Sequence, residues 1–175
     1  LYDGIKGMYN FLKEISGKND PILFARAINI AIRKMFALDD FENVLSYYRA
    51  REVNFGDAEK HYNKALSYIK DADNTRQLKK AKKDAFNEMK KVEINPNKEV
   101  LNVDLTGEIY LVCDKFSNQD IARELGKMGV QTRRSLTISG FIKDAIIPEA
   151  FRKGETHLQR AFRMAKPYLM RDIGG

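Results

Sequence analysis

The stretch TGEIYLVCDKFSNQDIARELGKMGVQTRR, residues 106–134, decides the fold. It predicts a strand, a loop, a capped helix and a second strand, which together make one βαβ unit. Ser117 is the expected N-cap of the helix and Asp120 its capping-box acid, while Phe116 is expected to pack on Ile121 as a hydrophobic staple. This local chemistry predicts an α/β fold, because a strand pair with a helical crossover is normally parallel.

Residues on both sides of this stretch extend the pattern. The turn at 95–97 introduces VLNVDLTGEIYLV, residues 100–112, whose alternation and β-branched content predict the first strand. The helix is expected to bury Ile121, Leu125 and Met128 and to end before Gly129, which can adopt positive φ. The second strand is predicted around residues 130–134, followed by a helix that Thr137 or Ser139 can cap.

From residue 1 to about residue 92 the pattern is helical. Asp20 followed by Pro21 predicts an N-cap and a first helical residue, and Asp39 is expected to open a further, shorter helix. We therefore predict a helix-rich region at 1–95 and a Rossmann-like α/β lobe at 96–175 with few parallel strands. The apolar stripes expected on the later helices are Tyr62, Ala65, Leu66 and Ile69, then Leu78, Ala81, Ala85 and Met89, and finally Leu158, Ala161, Phe162, Ala165 and Leu169.

Composition limits the possible classes of protein. The chain has 175 residues, of which 31 are basic and 24 acidic, so its net charge is +7 and its pI about 9.4. This balance is compatible with an anionic partner such as a phosphate or a coenzyme. No apolar run approaches the roughly 20 residues of a spanning helix, and no export signal is evident, so we expect a cytoplasmic protein without a membrane partner. The sole cysteine, Cys113, excludes an intrachain disulfide.

The carboxyl end of the first strand is the expected ligand-binding region, because there the next helix presents free N–H groups. Arg133 or Arg134, closing the second strand, could clamp a carboxylate or phosphate in the same crevice, or could form an edge charge pair. Glu108 could hold a ligand hydroxyl or a metal, or could be a solvated residue, and Ser117 could be a cap only. The candidate ligand-binding residues are Gly107, Glu108, Tyr110, Ser117, Asn118, Arg133 and Arg134.

Other kinds of site have less support. The sequence has neither a glycine-rich dinucleotide loop nor a nucleophile elbow, so we assign no catalytic residue. His61 and His157 lack neighbours at metal-ligand spacing, and Cys113 alone cannot hold an iron–sulfur cluster. The lysines between residues 79 and 91 are interrupted by acidic residues and have no interleaved aromatics, so a solvated helix face is the better interpretation than a nucleic-acid site.

Two strings carry a resemblance to a known family. TGEIYLVCDKFSNQDIARELGKMGVQ and, upstream, YYRAREVNFGDAEKHYNKAL resemble the CoA-substrate-specific enzyme activases, that is, the acyl-CoA dehydratase activase-related proteins allied to 2-hydroxyglutaryl-CoA dehydratase. The positions that match the family pattern are Gly107, Glu108, Ile109, Tyr110, Phe116 and Asn118. The resemblance covers roughly residues 45–175, and the closing segment resembles one that continues further, so we expect a fragment truncated at both ends.

The resemblance implies an anaerobic system in which an ATP-hydrolysing activator with a four-iron, four-sulfur cluster drives an electron into a dehydratase. This chain lacks the family's phosphate loops and cluster cysteines. The resemblance therefore implies ATP and the cluster for the parent protein and no cofactor for this fragment. We expect a non-catalytic fragment whose α/β lobe lines a ligand or cluster crevice. Its partners would be other domains of the parent chain or a dehydratase or activator. The alternative is a protein-interaction module that docks a partner through its helical region, with Tyr47, Tyr48 and Tyr68 as the expected apolar stripe.

Overall fold

The structure is a computed structural model that describes residues 4–17 and 19–146. The predicted helix around Leu158–Leu169, together with His157, lies outside these residues. Helices and strands follow one another as α1 (Gly4–Ser16), α2 (Pro21–Arg51), α3 (Asp57–Lys70), α4 (Thr75–Met89), β1 (Leu101–Leu105), α5 (Ile109–Cys113), α6 (Ile121–Lys127), β2 (Val130–Arg134) and α7 (Ile138–Ile146).

The long helix α2 begins as predicted and ends later than predicted. The Asp20 carboxylate accepts hydrogen bonds from two backbone N–H groups of the first turn, at 2.9 and 3.0 Å, and Pro21 is the first helical residue. The prediction that Asp39 opens a separate helix is wrong, because α2 continues through it to Arg51. The Asp39 carboxylate instead accepts a hydrogen bond from the backbone N–H of Ser139, in the first turn of α7, at 3.0 Å.

The main hydrophobic core lies between the second half of α2, α3 and α4. The predicted stripes of α3 and α4 are confirmed: each has its apolar residues at helical spacing on the buried face. Ile69 and Met89 are the largest side chains that are fully buried. The core consists of Ala37, Phe41, Leu45, Ala58, Tyr62, Ala65, Ile69, Ala72, Leu78, Ala81, Ala85, Met89 and Val92, with Leu66 partly buried against it.

The two strands form a parallel pair, as predicted. Leu101 lies opposite Val130 and Leu105 opposite Arg134, so the carboxyl ends of both strands meet at one edge. In the described part of the chain the fold is thus α/β, with many helices and a small two-stranded parallel sheet.

The first strand is shorter than predicted. β1 ends at Leu105, and the segment from Ile109 to Cys113 is the short helix α5 rather than the rest of a strand. Gly107 has φ of +151°, which turns the chain out of the sheet, and Glu108 caps the helix that follows.

The predicted capping chemistry of the second crossover helix is also wrong. α6 begins at Ile121, and its N-cap residue Asp120 has φ of +51° and no side-chain capping bond. Phe116 is 93% exposed, so it forms no hydrophobic staple. The helix ends before Gly129, whose φ of +77° is as expected, but Ile121 and Met128 are exposed rather than buried.

The free edge of β2 is covered by the side of α2. The Ser46 hydroxyl accepts a hydrogen bond from the backbone N–H of Thr132 at 2.8 Å and donates to the Thr132 carbonyl at 2.7 Å. Both groups are buried. The Ser46 side chain therefore satisfies the N–H and the carbonyl of Thr132, which point away from β1. Through this contact α2 packs against the sheet as well as against the helical core.

Among residues 4–17 and 19–146 no helix has the length and apolar content that crossing a bilayer requires. The predicted division into 1–95 and 96–175 stays a prediction.

Candidate functional site

Three of the predicted binding residues lie at the start of α5. The Glu108 carboxylate accepts hydrogen bonds from the backbone N–H groups of Tyr110 at 2.8 Å and Leu111 at 3.3 Å, so it is the N-cap of this helix. Tyr110 is 74% exposed, and Gly107 provides the turn that precedes the cap. The structure gives Glu108 a structural role in positioning the chain after β1.

Ser117 and Asn118 lie in the loop after α5. The Ser117 hydroxyl and backbone N–H both donate to the Asp114 carboxylate, at 2.6 and 2.8 Å, and the hydroxyl bond is the main reason why the pKa of Asp114 lies below its usual value. Asn118 Nδ2 donates to the carbonyls of Leu111 and Val112 at 3.0 and 3.3 Å. Its Oδ1 is buried and has no hydrogen-bond partner among the described residues. A carbonyl oxygen in this position is suited to accept a hydrogen bond from water or from a ligand.

The two arginines that close β2 point in different directions. Arg133 makes two hydrogen bonds to Asp104 on β1, at 2.7 and 2.8 Å, and hydrogen bonding by the guanidinium lowers the pKa of Asp104. Both side chains are exposed, so this is the edge charge pair that was the alternative interpretation. Arg134 is mostly buried and pairs with Glu42 of α2, and desolvation lowers the pKa of its guanidinium.

The seven predicted residues therefore do not converge on one crevice. Glu108 caps the beginning of α5, Asn118 binds carbonyls at its end, and Arg133 faces the outer side of the sheet. Of the seven, Arg134 lines the small cavity described next. A binding role for the other residues stays a prediction.

A small polar cavity lies at the carboxyl end of β2, between this strand, α2 and the loop after α5. Its volume of about 30 Å³ is enough for about one or two water molecules and too small for a coenzyme. Charged side chains of both signs surround it. Its lining residues are Asp39, Glu42, Asn43, Leu45, Ser46, Arg49, Lys115, Asp120, Ala122, Thr132, Arg134 and Thr137.

Sequence reasoning missed the side of the cavity that α2 provides. Asp39, Glu42, Ser46 and Arg49 follow one another at intervals of three, four and three residues, so they form one polar stripe along the helix. The stripe runs beside the apolar residues of the same helix turns. Its spacing was readable in the sequence, and buried polar residues beside an apolar stripe indicate a second packing partner.

The loop between α5 and α6 has two features of a binding loop. Gln119 and Asp120 are consecutive non-glycine residues with φ of +55° and +51°, a backbone conformation that costs free energy and is found most often at functional sites. Lys115 lines the cavity, is exposed and has no ion-pair partner among the described residues. A lysine at the cavity mouth beside Arg134 can attract an anionic group.

The helix α6 approaches α2 closely at Gly126. A Cβ atom at this position would lie 2.3 Å from Cδ and 2.7 Å from Cγ of Arg49. Arg49 is buried and held by two hydrogen bonds to Glu59 of α3, at 2.8 and 2.9 Å. Arg49 thus links three helices beside the cavity, and only glycine fits opposite it.

His61 takes part in a structural charge cluster. Its Nδ1 lies 3.0 Å from the carboxylate of Glu88, which also pairs with Lys91 at 2.6 Å and Lys64 at 3.2 Å. Glu88 is 3% exposed. The hydrogen bond from Lys91, assisted by those from His61 and Lys64, lowers the pKa of Glu88 to about 2 against the opposing effect of burial. The cluster joins α3 to α4.

The remaining sequence candidates are also accounted for. Cys113 is half-buried, and its thiol lies 3.8 Å from the Leu136 carbonyl; burial raises the pKa of that thiol, so it is not activated as a nucleophile. Two of the lysines from the α4 run are in ion pairs, Lys82 with Asp40 and Lys91 with Glu88. Within the described ranges, no group of three or more His, Cys, Asp or Glu side chains is arranged to hold a metal ion.

No protein-family model, curated protein or solved structure matches the chain.

Proposed function

We propose that the chain is a non-catalytic α/β unit of a CoA-substrate-specific enzyme activase or 2-hydroxyacyl-CoA dehydratase-related protein. In this proposal the Rossmann-like β1–β2 unit lines a ligand or cluster crevice that other domains of the parent, or a dehydratase or activator partner, complete. ATP and the four-iron, four-sulfur cluster belong to those other parts. The protein acts in the cytoplasm of an anaerobic system.

The observation that supports this proposal is the polar cavity at the carboxyl end of β2. In parallel α/β folds ligands bind at this end of the strands. Here Lys115 is a cation without an ion-pair partner among the described residues, whereas Arg134 is paired with Glu42. The cavity itself has about 30 Å³ of space, so a CoA thioester can touch only its mouth. A lobe of this kind contributes contacts to a larger site and does not perform the reaction.

The experiment is a calorimetric titration of the chain with CoA. We expect weak binding that Lys115→Gln reduces, because this lysine is the exposed cation at the cavity mouth and makes no ion pair that folding depends on. Lys79→Gln, an exposed lysine on α4, is the matched control. Equal CoA binding by both variants, or no binding at all, contradicts the site. ATP hydrolysis or dehydration of a 2-hydroxyacyl-CoA by the chain alone contradicts the non-catalytic role.

A second candidate function, a protein-interaction module, is favoured by the surface of the first two helices. Phe11, Ile15 and Ile22 are 61, 67 and 64% exposed, and patches of large apolar side chains in soluble proteins mark contact sites. The stripe expected at the tyrosines is not formed, because Tyr48 and Tyr68 pack against the core. The docking region lies nearer the N-terminus than the sequence predicted.

A further inference from the structure

The first half of α2, residues 21–36, extends about 24 Å and is apolar except for Arg26, Asn29, Arg33 and Lys34. The fully buried residues of α2 begin only at Ala37, and of the earlier side chains Ile30 packs, partly buried, against the core. The apolar face of a helix is normally packed against another element of the protein. Ile22 and Leu23 of this segment are exposed, so part of its apolar surface has no packing partner among the described residues.

α1 covers one side of that segment. The rings of Tyr9 and Phe24 meet edge to face with centroids 5.0 Å apart, and the Tyr9 hydroxyl donates to Asn19 Oδ1 at 2.7 Å. Between the helices lies a largely apolar groove of about 240 Å³, lined among others by Leu12 and Leu23. Three exposed apolar side chains, Leu12, Ile15 and Leu23, line this groove, and the exposed Phe11 and Ile22 neighbour them in the sequence. We call these five side chains the hairpin surface.

The charges of α1 and of the first half of α2 are mainly positive. This part of the protein has two acidic side chains, Glu14 and Asp20, and the Asp20 carboxylate is the N-cap of α2. The basic side chains there are Lys13, Arg26, Arg33 and Lys34.

None of these four cations forms an ion pair with a carboxylate among the described residues. Arg33 Nε donates to the neutral Asn29 side chain at 2.6 Å, and Lys34 Nζ donates to the Lys70 carbonyl at 2.7 Å. By contrast, Arg49 and Arg134 of the body of the protein are both paired with glutamates.

We infer that the hairpin surface docks an amphipathic helix whose apolar stripe is flanked by aspartate and glutamate residues, supplied by another domain or a partner protein. This inference rests on the docking role proposed above. An apolar stripe would fill the groove, as helices do in hydrophobic grooves, and the flanking carboxylates would meet Lys13, Arg26 and Arg33. A second copy of this chain fits less well, because it would bring the same cations against themselves.

The probe is a synthetic helical peptide of about five turns. It carries leucines at i, i+3, i+4 and i+7 and glutamates beside them, and its twin carries lysines in place of the glutamates. Fluorescence anisotropy measures the affinity of each peptide for the full chain. We expect the acidic peptide to bind about tenfold more tightly than the basic one, since several rim charge pairs of modest strength add to that size.

Two pairs of variants test the two parts of the surface. Phe11→Gln with Ile15→Gln should abolish binding, whereas Met128→Gln, which also removes an exposed apolar side chain, should not. Arg26→Glu should reduce the preference for the acidic peptide, because it turns one of the three cations into an anion, whereas Lys83→Glu on α4 should leave the preference unchanged. Circular dichroism of each variant confirms that the helices remain.

Equal affinity for the two peptides, or an unaltered preference in Arg26→Glu, overturns the inference about the partner's charge. Self-association of the chain that Phe11→Gln and Ile15→Gln abolish also overturns it, although the docking role then stands. Absence of both peptide binding and self-association overturns the inference and the docking role together, and it leaves the CoA titration at Lys115 unaffected.

Discussion

Replacing Ser46 by alanine tests whether a single hydroxyl closes the edge of the sheet. In the folded protein this hydroxyl satisfies both the N–H and the carbonyl of Thr132, at 2.8 and 2.7 Å, in a buried position. Ser46→Ala leaves one buried donor and one buried acceptor without a partner. Each such group costs about 1–3 kcal/mol.

The adjoining cavity affects how much stability Ser46→Ala loses for each of the two groups. Ser46 and Thr132 both line the space of about 30 Å³, so a water molecule can replace part of the lost hydroxyl. We therefore expect the free energy of unfolding to fall by about 2 kcal/mol, which is the lower end for the two groups together. For a chain of this size that loss corresponds to a decrease in Tm of roughly 4–8 °C.

Urea denaturation and a thermal melt measure the effect, and Ser67→Ala is the matched control. Ser67 is also a helical serine, but its hydroxyl donates to the Lys64 carbonyl at an exposed position, so its loss should change stability by no more than about 0.5 kcal/mol. Amide exchange at Thr132 should accelerate in Ser46→Ala. If both variants unfold at the same urea concentration, the idea that α2 completes the edge of β2 is incorrect.

Three further changes have defined outcomes. Gly126→Ala should destabilise the protein by about 1–3 kcal/mol, because its Cβ displaces Arg49; in denaturant melts the double variant with Arg49→Ala should lose less than the sum of the single changes. The folded-state pKa of Glu88 is about 2 against 4.5 for an ordinary carboxyl, so its charge cluster stabilises the fold above pH 4.5 and ceases to do so as the pH falls toward 2. Glu88→Gln should flatten the dependence of the free energy of unfolding on pH in this range. An unchanged dependence would contradict the stabilising role of the cluster. Glu108→Ala should cost about 1 kcal/mol through the lost cap, whereas Glu108→Asp should retain most of the stability; equal melting temperatures would exclude a capping role.

Local signals in the sequence predicted those elements that depend on local chemistry. Asp20 and Pro21 start α2, and the stripes that end at Ile69 and Met89 face the core. The parallel pairing of β1 and β2 follows from the crossover length alone.

The wrong predictions concern residues whose hydrogen-bond partners are distant in the sequence, or segments whose local sequence is compatible with two different conformations. Asp39 resembles a helix start, but it caps α7, 100 residues further along. Ser117 and Asp120 have the spacing of a capping box, yet Ser117 donates to Asp114, which closes the loop in a different way. The β-branched and aromatic residues after Gly107 favour a strand, and the cap supplied by Glu108 makes them a helix instead.

The candidate site was predictable only in part. Arg134 was identified because it closes the second strand of a parallel pair, and it does line the cavity. Its surroundings come from α2, whose polar stripe gains meaning only when β2 is known to pack there. A pattern within one helix shows that a face is polar, but it does not show which element covers that face.

The contact of Ser46 with Thr132 has a consequence for dividing the protein into pieces. A shortened chain that starts near residue 96 would keep both strands and lose the helix that covers β2. Its bare backbone donor and acceptor would then be available to strands of other molecules, as exposed sheet edges are. Such a piece should aggregate during expression, whereas a piece that starts at Pro21 and keeps the whole of α2 should remain dispersed.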